Sequence, residues 1–167
     1  MDDTLHSETA TLGVYHLRCR TLISLRVRAM RYLARREYSR AELHARLLTY
    51  ATPEDNVDAV LDELVKRGWQ SDERAATQMV HAKRSRFGVQ RIIHELRQKG
   101  IAEEMISPAL PALKESELEA AREVWQKKFG VVAQDAKEKA RQMRFLQSRG
   151  FSMEVIFRVL RLTETQE

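Results

Sequence analysis

Cys19 is the only cysteine, which rules out an intramolecular disulfide and a cysteine-rich zinc site and fits a reducing cytosol. No stretch approaches the roughly 18 apolar residues that a membrane span needs. The acidic start, Met1-Asp2-Asp3, lacks the apolar run of a signal peptide, so neither secretion nor membrane insertion is expected. Only three prolines interrupt the chain and β-branched runs are short, which leaves a sheet little to start from. The six glycines are too scattered to form a phosphate-binding loop. His94-Glu95 opens like a zinc-protease helix, but Gln98 stands where the second imidazole belongs, and His6, His16, His44 and His81 have no metal-ligand spacing. The expectation is an all-helical chain with no catalytic residue, metal or cofactor.

What remains is helical periodicity and positive charge. With 29 basic against 24 acidic side chains the net charge is +5, a balance that suits an anionic partner. The charge is segregated along the chain. Arg26 to Arg46 holds seven arginines against Glu37 and Glu42, whereas Glu54 to Glu63 holds five acids and no base.

Arg84 to Ile101 states the pattern most compactly. Phe87-Gly88 breaks one helix; Val89, Ile92, Ile93 and Leu96 then recur at helical spacing, Gly100 ends the run, and the exposed side is basic except for Glu95. Shifting the chain by 49 residues sets Leu43 on Ile92, Leu47 on Leu96, Val57 on Ile106 and Leu64 on Leu113. A shift of about 50 sets Leu96, Gly100, Ile101 and Ile106 on Leu146, Gly150, Phe151 and Ile156. Arg67-Gly68-Trp69, Lys99-Gly100-Ile101 and Arg149-Gly150-Phe151 read as helix ends with glycine in the left-handed conformation.

A polar tail over 1–21 therefore precedes three-helix repeats over 22–70, 71–114 and 115–167. No such unit buries much surface alone, so the repeats are expected to stack as an elongated, curved array. Within them, Ser39 with Glu42 and Ser116 with Glu119 predict capping boxes, and Thr52-Pro53 predicts a helix start. Pro108 and Pro111 predict a kink or early end to the helix beginning at Ala102. Trp69, Phe87, Trp125 and Phe151 sit at apolar helix boundaries and are expected in the core.

The pattern FGVQRIIHELRQKGI, the earlier SRAELHARLL, the linking GWQSDERAA and the late RFLQSRGFSMEVI together resemble the RecX family, bacterial regulators of the RecA recombinase, from about Leu25 to Leu160. The resemblance implies a cytoplasmic, monomeric, non-enzymatic regulator acting in DNA repair, homologous recombination and the SOS response. It would bind the RecA nucleoprotein filament in its groove and restrain recombinase, ATPase and coprotease activities. The residues themselves offer a candidate partner-binding strip: Arg35, Arg36, Arg40, Lys83, Arg84, Arg86, Arg91, Arg144 and Arg149. Such a strip also predicts weak nonspecific DNA binding. Two other readings stay open on the residues alone, a helical protein acting directly on DNA and a helical scaffold.

Overall fold

The computed structural model describes residues 23–164, and every regular element among them is helical. Cys19, His6, His16 and the tail expected over 1–21 lie outside the described residues. The chain divides after Ser71 into two compact units.

The first unit contains α1 (Leu25–Leu33), α2 (Arg40–Leu48) and α3 (Val57–Lys66). Ser39 and Glu42 form the expected capping box: the Ser39 hydroxyl accepts from the Glu42 amide at 3.1 Å, and the Glu42 carboxylate accepts from the Ser39 amide at 3.2 Å. Leu25, Ala29, Leu43, Leu47, Leu61 and Leu64 build the core. The start of α3 differs from the expectation. The amide and hydroxyl of Thr52 both donate to the Asp55 carboxylate, at 2.8 and 2.9 Å, so its side chain is held in a turn. Asn56 caps the helix instead, accepting from the Ala59 amide at 2.9 Å.

The second unit contains α4 (Asp72–Lys83), α5 (Val89–Gln98), α6 (Glu103–Ile106), a 3-10 turn (Ser107–Ala109), α7 (Leu110–Lys128), α8 (Ala136–Ser148) and α9 (Met153–Glu164). Pro108 lies in the 3-10 turn, the expected interruption, whereas Pro111 occupies the first turn of α7, where a missing donor costs nothing. Because α7 begins there, Ser116 falls inside the helix and opens no capping box. Its hydroxyl donates back to the Ala112 carbonyl at 3.0 Å. Lys114 and Glu115, on either side of the expected seam between the second and third repeats, are consecutive residues of α7.

α7 therefore serves two cores. Its first turns contribute Leu113 to a cluster with Ile92, Leu96 and Ile106. Its later turns contribute Ala121 and Trp125 to a cluster with Leu146, Phe151, Ile156 and Val159. Between them sits Glu117, a carboxylate only 7% exposed. Its Oε1 accepts from the Val89 amide at the start of α5 at 3.0 Å and from the Ser152 amide ahead of α9 at 3.4 Å. Two helix N-termini, each with orphan amides and a partial positive charge, meet one buried negative charge.

The same seam needs two glycines. The Gly88 amide donates to the Arg149 carbonyl at 3.0 Å. A Cβ on Gly88 would lie 2.1 Å from the Gly150 carbonyl oxygen, and one on Gly150 would lie 2.4 Å from Arg91 Cβ. Gly68, Gly100 and Gly150 adopt the expected left-handed conformation, with φ of 69, 70 and 83°. Each is followed by an amide that reaches back five residues: Trp69 to Leu64, Ile101 to Leu96 and Phe151 to Leu146.

Gly68→Ala and Gly88→Ala are expected to differ for this reason. At Gly68 no atom stands within 4 Å of the added Cβ, so only the left-handed φ is penalised, by about 1 kcal/mol. At Gly88 backbone must move, and the loss is expected to reach about 3 kcal/mol or more. Urea unfolding followed by Trp125 fluorescence in a Trp69→Phe background checks the second value. Glu117→Ala strands the Val89 amide in the interior, and the same assay should register a loss of about 2 kcal/mol.

Candidate functional site

The nine basic residues singled out by sequence are of two kinds in the structure. In the first unit Arg36 is committed to Glu42, at 3.0 and 3.5 Å, and its guanidinium lies 3.5 Å above the Tyr38 ring centre. Arg40 bridges Asp58 at 3.0 Å and Asp62 at 2.9 Å, joining α2 to the acidic face of α3. Arg35 is exposed and has no carboxylate partner among the described residues. Glu42 on α2 and the segregated Asp58 and Asp62 on α3 thus neutralise two of these three arginines within the unit.

In the second unit four of the remaining six gather around one ring. Lys83, Arg86, Arg91 and Arg149, from the end of α4, the loop after it, α5 and the end of α8, place their charges 4.4 to 5.8 Å from the centre of Phe87. The negative face of the aromatic ring favours this convergence. Glu95 on α5 takes two of the four: it pairs with Lys83, and it accepts from Arg91 at 3.1 Å. Arg91 also donates to the Ser148 carbonyl at 3.2 Å, satisfying an open carbonyl near the end of α8. Partial burial disfavours the charged form of Glu95, but the hydrogen bonds from Lys83 and Arg91 outweigh it and hold the carboxyl below its ordinary value.

Arg86 and Arg149 have no carboxylate partner among the described residues. They border an open depression of about 400 Å³, together with Ser85, Lys127, Lys128 and Phe145. Lys127 and Lys128, in the last turn of α7, were missed by a sequence argument that compared corresponding repeat positions. Their signal was local, a lysine pair next to Phe129-Gly130. Arg84 is exposed beside α4, and Arg144 is exposed on α8 near Asp135 and Glu138. Trp125 and Phe151 are core residues as expected, and Phe87 is partly buried beneath its cations. Trp69 is not: it is 37% exposed, held between the guanidinium groups of Arg26 and Arg67 at the end of α3. The turn at Gly68 carries its backbone back to α3 while the ring remains at the surface. No helix among the described residues is long and apolar enough to cross a membrane.

Consecutive three-helix modules carrying arginine clusters on their surface define a class of modular, all-helical proteins. Family models described as the first, second and third three-helix domains of RecX match residues 26–64, 71–110 and 115–160. Regulatory protein RecX of Leptothrix cholodnii is 48% identical over 145 residues, covering 87% of this chain and 92% of that protein. Regulatory protein RecX of Chromobacterium violaceum is 48% identical over 137 residues, covering 82% and 89%. The fold matches the crystal structure of RecX from Lactobacillus salivarius with a TM-score of 0.69 at 18% identity, over 84% of this chain and 95% of that one. The chain belongs to the RecX family of regulatory proteins.

The Lys83–Glu95–Arg91 cluster makes stability depend on pH in a defined sense. The folded pKa of Glu95 lies below the ordinary 4.5, so its contribution is complete above that value and is lost as pH falls through the depressed folded value. Glu95→Gln is expected to cost about 1 kcal/mol at pH 7, and the gap to the parent protein should narrow below pH 4.5, in urea titrations across that range.

Proposed function

We propose that this protein is a regulator that binds the RecA nucleoprotein filament in its helical groove and restrains the recombinase, ATPase and coprotease activities of the filament during DNA repair and the SOS response. The observation that carries this reading is the match of all three modules, in order, to the RecX domains. The protein acts by occupancy, as a monomer in the cytoplasm, and performs no chemistry of its own. The repeats over 22–70, 71–114 and 115–167 present their basic residues to the filament. Arg35, Arg84, Arg86, Arg144 and Arg149 are the cations of the original nine that retain unneutralised charge for a partner. Arg36, Arg40, Lys83 and Arg91 contribute mainly by holding helices in place. Unneutralised surface charges govern encounter and register more than raw affinity.

The test is ATP hydrolysis by preformed RecA filaments on single-stranded DNA while the protein is titrated at substoichiometric ratios. Inhibition is expected well before the DNA is coated. Arg84→Glu with Arg86→Glu should raise the half-inhibiting concentration roughly tenfold, chiefly through slower association at low salt. Inhibition that begins only when free DNA is saturated would sink the filament mechanism and leave a protein acting directly on DNA.

A further inference from the structure

An open cleft of about 740 Å³ lies between α5 and the end of α8. Two of the charges that line it are committed to each other and to the fold. Arg91 donates to Glu95 at 3.1 Å and to the Ser148 carbonyl at 3.2 Å, and Glu95 also pairs with Lys83. Lys99 adds a charge only at the C-terminal end of α5. The rest of the α5 side is a row of uncharged hydrogen-bonding groups. Gln90, His94 and Gln98 recur every fourth residue, so they stack on one helical face, and all three are exposed. Gln147 lines the cleft from α8. A glutamine amide and a neutral imidazole each carry both a donor and an acceptor. His94, which has no second imidazole with which to hold a metal, thus has a place in a different pattern.

We propose that this cleft binds an extended polypeptide segment of a protein partner through its main chain. The spacing fits such a segment. A helix rises about 1.5 Å per residue, so the row on α5 repeats every ~6.0 Å. In an extended chain every second residue turns its N–H and C=O to the same edge, at a repeat of roughly 6.6 to 6.8 Å. Over the length of the row the two repeats drift apart by only about 1.5 Å, which long glutamine side chains absorb. From Gln90 to Gln98 the row spans ~12 Å, room for about four extended residues. The chemistry also selects a peptide over a nucleic-acid strand. Phosphate oxygens only accept, so the acceptor half of each amide would be left facing an anion, whereas a peptide edge offers N–H and C=O together and uses both halves. Recognition is the main-chain pairing of strand addition, with side chains on a helix in place of a sheet edge. The inference goes beyond the filament reading, because it names a ligand chemistry that any protein can supply.

The experiment is a nitrogen-15 NMR titration of the glutamine side-chain amides with an uncharged, end-blocked peptide of alternating threonine and serine, a sequence that favours the extended conformation. Saturable shifts are expected at Gln90, Gln98 and Gln147, with a Kd of about 1 mM for a few neutral hydrogen bonds. The same peptide N-methylated at every second residue loses the donors of one edge and should bind roughly tenfold more weakly. Gln90→Ala with Gln98→Ala should weaken the parent peptide by a similar factor. Both glutamines are exposed on α5 and alanine keeps helix propensity, so the fold should persist, which Trp125 fluorescence verifies. Absence of saturable shifts, equal binding of the methylated peptide, or equal binding by the double variant overturns the site. Shifts of these amides by oligothymidine and not by the peptide also overturn it. Peptide binding as expected in a protein that inhibits no RecA filament upholds the cleft while removing the filament reading.

Discussion

The second unit depends on one buried carboxylate. Glu117 lies at the middle of α7, where one apolar cluster ends and the next begins, and it accepts from the amides that open α5 and precede α9. A buried charge is costly unless compensated, and here the compensation is two helix N-termini with amides that have no intrahelical acceptor. The arrangement couples two modules. It works only because Gly88 and Gly150 bring the start of α5 against the end of α8 with no side chain between them. In the first unit the corresponding helix start is closed locally by Ser39 and Glu42, so the same repeat position is capped by its neighbours in one module and by a distant helix in another.

Charge follows a similar division of labour. Acids in α3 neutralise Arg40, and Glu95 neutralises much of the Lys83–Arg91 pair, so these side chains order their own units. Of the cations left over, Arg86 and Arg149 stand beside Phe87 and, with Lys127 and Lys128, border the adjoining depression, whereas Arg35, Arg84 and Arg144 lie elsewhere. Family membership supplies the regulatory context, and the ion pairs separate the cations held by internal carboxylates from Arg35, Arg86 and Arg149, which have no carboxylate partner among the described residues. A net charge of +5 understates that local excess, because the acids that balance the total lie mostly elsewhere.

Much of this was legible from the chain alone. Helical periodicity identified the buried faces: Leu43, Leu47, Ile92, Leu96, Leu146 and Ile156 are all essentially inaccessible. The glycine-ended helices were legible because the left-handed cap is a local requirement of backbone sterics. The failures were also local in origin. Thr52 and Ser116 each carry a capping residue's chemistry, yet a nearby competitor decided both, Asp55 by capturing the donors of Thr52 and Pro111 by starting α7 a turn and a half before Ser116. Trp69 was misread because a residue after a capping glycine can fold its backbone back without burying its ring.

The sequence by itself determined the helical class, the repeat, the apolar faces and the family, since each rests on spacing within a few turns or on motifs in order. Only the tertiary structure decided which arginines are spent on internal carboxylates, that Glu117 is a buried bridge, and that Lys127 and Lys128 join Arg86 and Arg149 around one depression. The bridge at Glu117 spans 28 and 35 positions of the chain, the cations around the depression up to 63, and the ion pairs of Arg40 span 18 and 22. A charged side chain reads the same in sequence whether it meets solvent, a carboxylate or a helix end, and folding alone assigns its partner.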